Sequence, residues 1–345
     1  MASRIGGVRD AAKRGVGRRA SAGRLRASAL GLCAGVLGLL GCVTIDLPLG
    51  GRGDLQEKVV LGTGGPKLLL VDLDGVLSEE DERGSLGLGG RESAVARVRE
   101  QLDRAREDDE VRGLLLRIHS PGGTVTASDI IYREILRFKE ETKRPVVAQC
   151  MGLCASGGYY VAMAADRVLA HPTSVTGSIG VIFSGLSLAG LMEKLGVEDQ
   201  TLTSGPYKDV GSPLRRMTPD EEAQLQSVID DLFAGFLEVV RRGRPALAPE
   251  AVSHLADGRI YSARQAKEAG LVDDLGYLPE AVEELKRRAG VAEARVVVYH
   301  RPREWRENLY SASAAPEPRL RPDGSSRLAA ALGGPTFLYL WWPGL

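Results

Sequence analysis

Cysteine, histidine and aromatic residues are scarce in this chain, and it carries no net charge. Its 345 residues include 4 cysteines and 4 histidines, aromatic residues make up 5%, and 45 acidic side chains balance 45 basic ones. Four cysteines are too few for a disulfide scaffold, and no cysteine and histidine spacing matches a zinc site, so we predict neither a metal nor a cofactor. Balanced charge leaves no electrostatic footprint for nucleic acid, so we expect no such partner.

The amino-terminal region departs from this charge balance. Its first 26 residues hold eight arginines or lysines and one acid, Asp10, and an apolar run at 27–40 leads to Gly41-Cys42. This order is typical of a secretory signal, here at 1–41, and it resembles a bacterial lipoprotein signal in which Cys42 is lipidated. The alternative is an uncleaved anchor, because residues 27–45 nearly reach the roughly 20 that span a bilayer. Either one predicts a bacterial envelope protein that is membrane-anchored, with the domain that follows outside the cytoplasm.

Three further segments follow. Residues 42–65 are rich in glycine and predict a linker. Residues 66–290 alternate strand and helix patterns, which indicates one α/β domain with a mostly parallel sheet. Residues 291–345 predict a partly disordered extension with an aromatic end, Phe337-Leu-Tyr-Leu-Trp-Trp-Pro-Gly-Leu345. An exposed aromatic end is costly in water, so we expect it to dock on this domain, a neighbouring subunit or a membrane.

Ser156 is the candidate nucleophile. The apolar run Pro145-Val-Val-Ala-Gln-Cys-Met151 predicts a buried strand, and residues 156–165 predict a helix. A serine at such a junction can expose its hydroxyl beside the free N–H groups of the helix start, which favour negative charge. The alternative is a small residue that only packs well in a tight turn.

A serine hydroxyl needs a base to remove its proton. His119 and His171 could complete a triad, but each lies beside a turn and a structural role explains it. Lys208 lies in the loop Ser204-Gly-Pro-Tyr-Lys-Asp-Val-Gly-Ser-Pro213 and is the other candidate; it would have to be uncharged, a state that an apolar site favours. For the oxyanion of an acyl intermediate, Gly123 and Gly157 can offer backbone N–H groups from the ends of neighbouring strands.

Asp72 and Asp74 support a different chemistry. The sequence Asp72-Leu-Asp74-Gly-Val follows a strand pattern and resembles the first motif of haloacid-dehalogenase phosphatases, which bind Mg²⁺. Acidic residues that end a strand are also common in turns. The phosphatase is therefore the weakest alternative.

Several motifs together carry one specific resemblance, over residues 66–290. They are Ser120-Pro-Gly-Gly123, Ala155-Ser-Gly-Gly-Tyr-Tyr160, Thr176-Gly-Ser-Ile-Gly180, Tyr207-Lys-Asp-Val-Gly-Ser-Pro213, Met217-Thr-Pro-Asp-Glu-Glu222 and Asp257-Gly-Arg-Ile-Tyr261. With these motifs the chain resembles the signal peptide peptidase A family, the Ser/Lys peptidases of the ClpP/crotonase fold.

The resemblance implies a role for each matching residue. Ser156 would be the nucleophile, Lys208 the general base and Ser178 the residue that orients the lysine amine, while Gly123 and Gly157 would bind the oxyanion. Members with one domain per chain form ring-like homo-oligomers in which Ser and Lys can come from neighbouring subunits. The implied substrates are apolar peptides such as remnant signal peptides.

Two features depart from the family pattern. One is the lipoprotein-type signal that ends before Cys42, and the other is the long carboxy-terminal tail with its aromatic end. For the tail we hypothesise docking in or near the substrate groove and trimming by the enzyme itself.

Besides the peptidase and the phosphatase, the fold admits two other functions. One is a crotonase-type acyl-transfer enzyme, against which an export signal argues, and the other is a non-catalytic scaffold.

Overall fold

The computed structural model describes residues 53–83, 90–302, 307–311 and 337–341. The predicted signal or anchor and Cys42 lie outside them, and within them no helix is both long and apolar enough to cross a bilayer. The strands, in chain order, are β1 (Gln56–Leu61), β2 (Lys67–Asp74), β3 (Glu82–Arg83), β4 (Gly90–Arg91), β5 (Val111–Ser120), β6 (Gly122–Thr124), β7 (Val146–Ala155), β8 (Arg167–Ala170), β9 (Val175–Gly177), β10 (Ile182–Phe183), β11 (Ile260–Ser262), β12 (Asp274–Leu275), β13 (Arg295–His300) and β14 (Phe337–Leu340). The helices are α1 (Ala94–Glu107), α2 (Val125–Thr142), α3 (Gly157–Ala162), α4 (Ala189–Leu195), α5 (Pro219–Gly243), α6 (Pro249–Leu255), α7 (Ala263–Glu268) and α8 (Leu278–Ala289).

A nine-stranded sheet forms the centre of the fold. Its main path runs β1-β13-β2-β5-β7-β8-β12, and the end of β7 also pairs with β9, which pairs with β11. Neighbours from β13 to β12 are parallel, whereas β1 and β11 join antiparallel. Strands β2, β5 and β7 are nearly continuous apolar runs, as expected of parallel strands that are buried on both faces. The predicted mostly parallel α/β sheet is confirmed.

Helices cover both faces of this sheet. Alternate residues of β2 point to opposite sides: Leu69 and Val71 join the core cluster that includes residues of α1, α2 and α3, while Leu68 and Leu70 join the cluster that includes residues of α8. This division follows from the two-residue period of a strand. The result is a layered structure with helix on both sides of the sheet.

A second, smaller sheet contains the end of the chain. Strand β14 lies between β6 and β10 and is antiparallel to both. The aromatic end of the predicted extension therefore docks on this domain, through residues 337–341. Because β6 follows β5 directly, β14 lies beside the edge of the main sheet where β5 and β7 end.

Three local expectations from the sequence are wrong. Strand β1 lies inside the segment predicted as a linker, because it gains a partner, β13, that lies more than 200 residues later in the chain. The short run at residues 200–202 predicts a further strand, but these residues form none and are exposed. Apolar residues at helical spacing along α5 predict a stripe that faces the core, but it is buried only towards its end, at Phe236 and Val240, while Leu225 and Val228 stay half-exposed.

Candidate active site

Ser156 connects the end of β7 to the start of α3, as predicted. Its backbone has φ 53° and ψ −116°, a region that non-glycine residues rarely occupy. The conformation is held in place by a hydrogen bond from the Ser156 N–H to the Gly177 carbonyl (2.8 Å). Strained residues of this kind cluster at active sites and persist because their surroundings fix them.

The Ser156 hydroxyl is buried and has no hydrogen-bond partner in the part of the chain that the structure describes. Ser156 is 1% exposed, and within the described residues its Oγ makes no hydrogen bond. Buried polar atoms are nearly always paired, so an unpaired hydroxyl calls for a functional explanation. This hydroxyl is available to a reacting group.

Gly122 and Gly157 line a groove beside Ser156, and strand β14 lies in this groove. A Cβ on Gly157 would overlap Ser128 Oγ and lie 3.1 Å from the Tyr339 carbonyl oxygen, and one on Gly122, whose φ is +102°, would overlap that same oxygen. Only glycine leaves room here for the backbone of another strand. Sequence reasoning missed Gly122, which belongs to the same Gly-Gly turn as Gly123.

Gly123 faces the same carbonyl group. In the β6–β14 ladder Tyr339 lies opposite Gly123, and two residues further along both strands the Trp341 N–H donates to the Pro121 carbonyl (2.8 Å). Antiparallel ladders alternate between bonded and non-bonded pairs, so Tyr339 and Gly123 are a bonded pair. The Gly123 N–H therefore points at the Tyr339 carbonyl oxygen.

Ser178 lies next to these residues. It follows Gly177, whose carbonyl accepts from Ser156, and it is 8% exposed with φ 49°. Its own N–H donates to the Arg259 carbonyl (2.8 Å). Two serines with positive φ thus lie on adjoining segments.

Lys208 lies on a different kind of structure. Residues 184–217, which we call the arm, connect β10 to α5 and include α4, and none of them is buried. Lys208 is exposed and is not hydrogen-bonded to Ser156 within the single chain. The structure therefore leaves the predicted Ser156–Lys208 pair as a prediction.

Ion pairs near Lys208 connect the arm to the first turn of α5. Arg215 contacts the carboxylates of Asp209 (2.6 and 2.7 Å) and Glu221, and its hydrogen bonds hold the pKa of Asp209 below its usual range. The same guanidinium, followed by the Thr218 N–H, lowers the pKa of Glu221 to about 2. Among the described residues Asp209 pairs with Arg215 and not with Lys208.

The two histidines weighed as bases make local contacts instead. His119 Nδ1 accepts from the Leu153 N–H (3.2 Å). His171 contacts the Thr173 hydroxyl (2.8 Å) and packs edge-on against Tyr277. Neither is bonded to Ser156, so the structural explanation fits both.

Asp72 is held in a buried ion pair. Its carboxylate accepts from Arg117 Nε (2.5 Å), and the other nitrogens of that guanidinium donate to the carbonyls of Leu309 and Ser311 (2.5 and 2.7 Å). This arrangement fixes residues 307–311 to the end of β5. It gives Asp72 a structural role and weakens the phosphatase alternative.

The sequence predicts no disulfide scaffold, but it does not indicate the one local pair that the described residues contain. Cys150 and Cys154 are both in β7 and are joined by a disulfide, with their Cα atoms 5.3 Å apart. Between them β7 changes neighbours, from β8 to β9, and the register with β5 shifts. A spacing of four residues in a strand rarely brings side chains together, so the irregularity of β7 was the missing information.

The comparisons agree with this fold. The family model for Clp protease matches residues 87–176, and the model for peptidase family S49 matches residues 138–292. Together with the layered sheet, these matches define the class of the protein, a ClpP-like peptidase.

Individual relatives identify the family. An Enterococcus faecium protein, named as a candidate signal peptide peptidase SppA, is 37% identical over 245 residues, which is 71% of this chain and 70% of that protein. Protease 4 of Salmonella typhi is 29% identical over 229 residues, 66% of this chain and 35% of that protein. The serine protease SPPA of Arabidopsis thaliana chloroplasts is 32% identical over 68% of this chain and 34% of its own length. The chain belongs to peptidase family S49, the signal peptide peptidase A family.

Proposed function

We propose that this chain is an endopeptidase that uses Ser156 and Lys208 as a dyad. Lys208 removes the proton of Ser156, and Oγ attacks a peptide carbonyl carbon. The Gly123 and Gly157 N–H groups stabilise the oxyanion, and Ser178 orients the lysine amine. The amine side of the cleaved bond leaves with a proton, and water then hydrolyses the acyl-enzyme.

The observation that supports this proposal most strongly is the position of Tyr339. An extended strand lies in the groove with one carbonyl oxygen against Gly122, Gly123 and Gly157, beside a buried hydroxyl that has no partner among the described residues. Peptides that bind by adding a strand to a sheet edge take this form. The groove is therefore shaped for an extended peptide backbone.

The arm supports a site shared between subunits. It exposes large apolar side chains, namely Leu186, Leu191, Leu195, Val197, Leu202, Tyr207 and Leu214. A patch of this kind on a soluble surface marks an interaction site. We propose that a second copy covers the arm in a ring-like homo-oligomer, and that Lys208 reaches Ser156 across this interface.

The proposed substrates are apolar peptides near a membrane. The strand that fills the groove, Phe337–Leu340, is itself apolar, and remnant signal peptides share this chemistry. An amino-terminal anchor or a lipid on Cys42 would hold the enzyme at the membrane of the bacterial envelope, which raises its effective concentration towards such peptides. The hypothesis that the enzyme trims its own tail stays open to intact-mass comparison of wild type and Ser156→Ala.

Active-site labelling tests the proposal. A fluorophosphonate probe should label Ser156 in the wild type and not in Ser156→Ala, and an apolar quenched peptide should be cleaved by the wild type alone. A non-catalytic scaffold predicts no labelling at all. Mg²⁺-dependent phosphatase activity that survives Ser156→Ala would instead favour Asp72.

A further inference from the structure

The turn that carries Gly123 is held on the side away from the groove. Residues 75–77 follow β2 and lie alongside it: the Leu77 N–H donates to the Gly122 carbonyl (2.9 Å), and the Thr124 N–H donates to the Leu77 carbonyl (3.0 Å). Consecutive residues of a strand direct their backbone groups to opposite sides. Gly122 and Thr124 therefore face Leu77, and the Gly123 N–H between them faces the groove.

One buried side chain joins this turn to the end of β2. Ser120, the last residue of β5, is fully buried. Its hydroxyl donates to the Gly75 carbonyl (2.6 Å) and accepts from the Gly122 N–H (3.1 Å). A hydroxyl has one proton and two acceptor lone pairs, so it can serve both partners at once. A single oxygen thus connects the segment after β2 to the first glycine of the turn.

Ser120 also contacts the start of α3. In the β5–β7 ladder it lies opposite Cys154, two residues before the candidate nucleophile, and a Cβ on Gly158 would approach the Ser120 carbonyl oxygen to 3.0 Å. The residue therefore lies between the two segments that carry the proposed oxyanion donors. These segments are the turn with Gly123 and the helix start with Gly157.

The turn needs such a contact because of its two glycines. Gly122 has φ +102°, and a glycine can leave this conformation for many others at little cost. Fixing its backbone in one conformation costs more entropy than for any other residue type. Loss of the Ser120 hydroxyl would also leave the buried Gly122 N–H without its acceptor, which favours rearrangement of the turn.

From these contacts we infer that Ser120 is a positioning residue that aims the Gly123 N–H at the oxyanion. This inference rests on the proposed peptidase function. Ser120 is fully buried and acts through Gly122, so it is not itself in contact with the peptide. It therefore speeds the step in which negative charge develops and does not strengthen the binding of substrate.

Ser120→Ala in the full-length chain tests this role. The kcat for an apolar quenched peptide should fall roughly ten- to hundredfold, less than the 10²–10³ that loss of a whole oxyanion donor costs. Fluorophosphonate labelling of Ser156 should slow by the same factor, because the phosphoryl oxygen occupies the oxyanion site. In chains that carry Ser156→Ala, addition of Ser120→Ala should change the affinity for the peptide by less than about twofold.

The labelling experiment distinguishes positioning from a merely structural role. Active-site titration with the probe gives the fraction of chains that react, separately from the rate at which they react. A positioning role predicts full labelling at a reduced rate. A structural role predicts a smaller fraction that reacts at the wild-type rate, and this result would overturn the inference.

A matched pair of variants separates the hydroxyl from its shape. Ser120→Thr and Ser120→Val differ by a hydroxyl in place of a methyl, so kcat should be roughly ten- to hundredfold higher for the threonine variant. Thr142→Val is the control, because the Thr142 hydroxyl also donates to a carbonyl and accepts from a backbone N–H, at the other end of α2 from this turn. Its kcat should equal that of the wild type.

The outcomes separate the inference from the proposal on which it rests. If the wild type is active and the threonine and valine variants have equal kcat, the positioning role is overturned and the peptidase assignment stands. If the wild type cleaves no peptide and takes up no probe, the peptidase proposal fails and the positioning role fails with it.

Discussion

The two halves of the proposed dyad lie in opposite environments. Ser156 is 1% exposed, held by the Gly177 carbonyl and surrounded by the main sheet and the β14 strand. Lys208 is exposed, on an arm in which no residue from 184 to 217 is buried. The proposed nucleophile and the glycines around it are complete within one chain, whereas the proposed base is exposed to solvent.

This difference indicates that the lysine half of the proposed dyad, and not the serine half, depends on a neighbouring chain. A general base must lie within hydrogen-bond reach of the proton that it removes. Within the single chain the Ser156 hydroxyl has no partner among the described residues, while the arm exposes both apolar side chains and Lys208. A neighbouring copy would cover the arm and bring a lysine to the serine in one step.

Removal of either residue of the proposed dyad is expected to have the largest effect on peptidase activity. Ser156→Ala and Lys208→Ala should each lower kcat/KM for an apolar peptide by at least about a thousandfold, because residues that act as a unit are lost together. The matched controls on the arm, Ser187→Ala and Lys194→Ala, should stay within twofold of wild type. A Lys208→Ala variant that keeps its activity would return attention to His119 and His171.

Mixing the two inactive variants sharpens the comparison further. If Ser and Lys of one site come from neighbouring chains, co-assembly of equal amounts of Ser156→Ala and Lys208→Ala chains should restore about a quarter of wild-type activity. Random assembly places a chain with an intact serine next to a chain with an intact lysine at about one interface in four. If both come from the same chain, every site lacks one of them and no activity returns. Activity of the mixture measured before and after dissociation and reassembly distinguishes the two cases.

The serine half of the site was predictable because it is local. A strand pattern, a small-residue turn and a helix pattern place Ser156 and Gly157 from the sequence alone, and a parallel sheet brings Gly123 beside them. The sequence Thr218-Pro-Asp-Glu221 likewise predicts a capping box and a helix from adjacent residues, and the structure has both.

The rest depends on partners that lie far away in the chain. Strand β14 pairs with β6 across more than 200 residues, and no periodicity in a four-residue strand indicates that partner. The same holds for β1 with β13, and for the ring of Tyr339, which contacts the rings of Tyr160 and Phe236 from two other segments. Sequence patterns reveal that such residues are apolar, but only the fold shows what they contact.

Weakened docking of the tail is expected to have a moderate effect. Tyr339→Ala removes the ring contacts with Tyr160 and Phe236, so the groove should be open for a larger fraction of time, and kcat/KM for short peptides should rise roughly tenfold in proportion to that fraction. Tyr310→Ala removes an exposed tyrosine that precedes the tail and serves as the control. An unchanged kcat/KM in Tyr339→Ala would show that β14 does not compete with substrate.

The smallest expected effect is on the stability of the fold, and it comes from the ion pairs between the arm and α5. The pKa of Glu221 is lowered in the folded chain to about 2, from an ordinary value near 4.5, so its charge stabilises the fold above pH 4.5 and this contribution fades as the pH falls towards 2. Glu221→Gln lacks this contribution at every pH. Urea unfolding between pH 6 and pH 2 should therefore show the wild type ahead of the variant at pH 6, with the difference shrinking as acid is added. A difference that stays constant over this range would mean that Glu221 acts through its capping hydrogen bonds and not through its ion pair with Arg215.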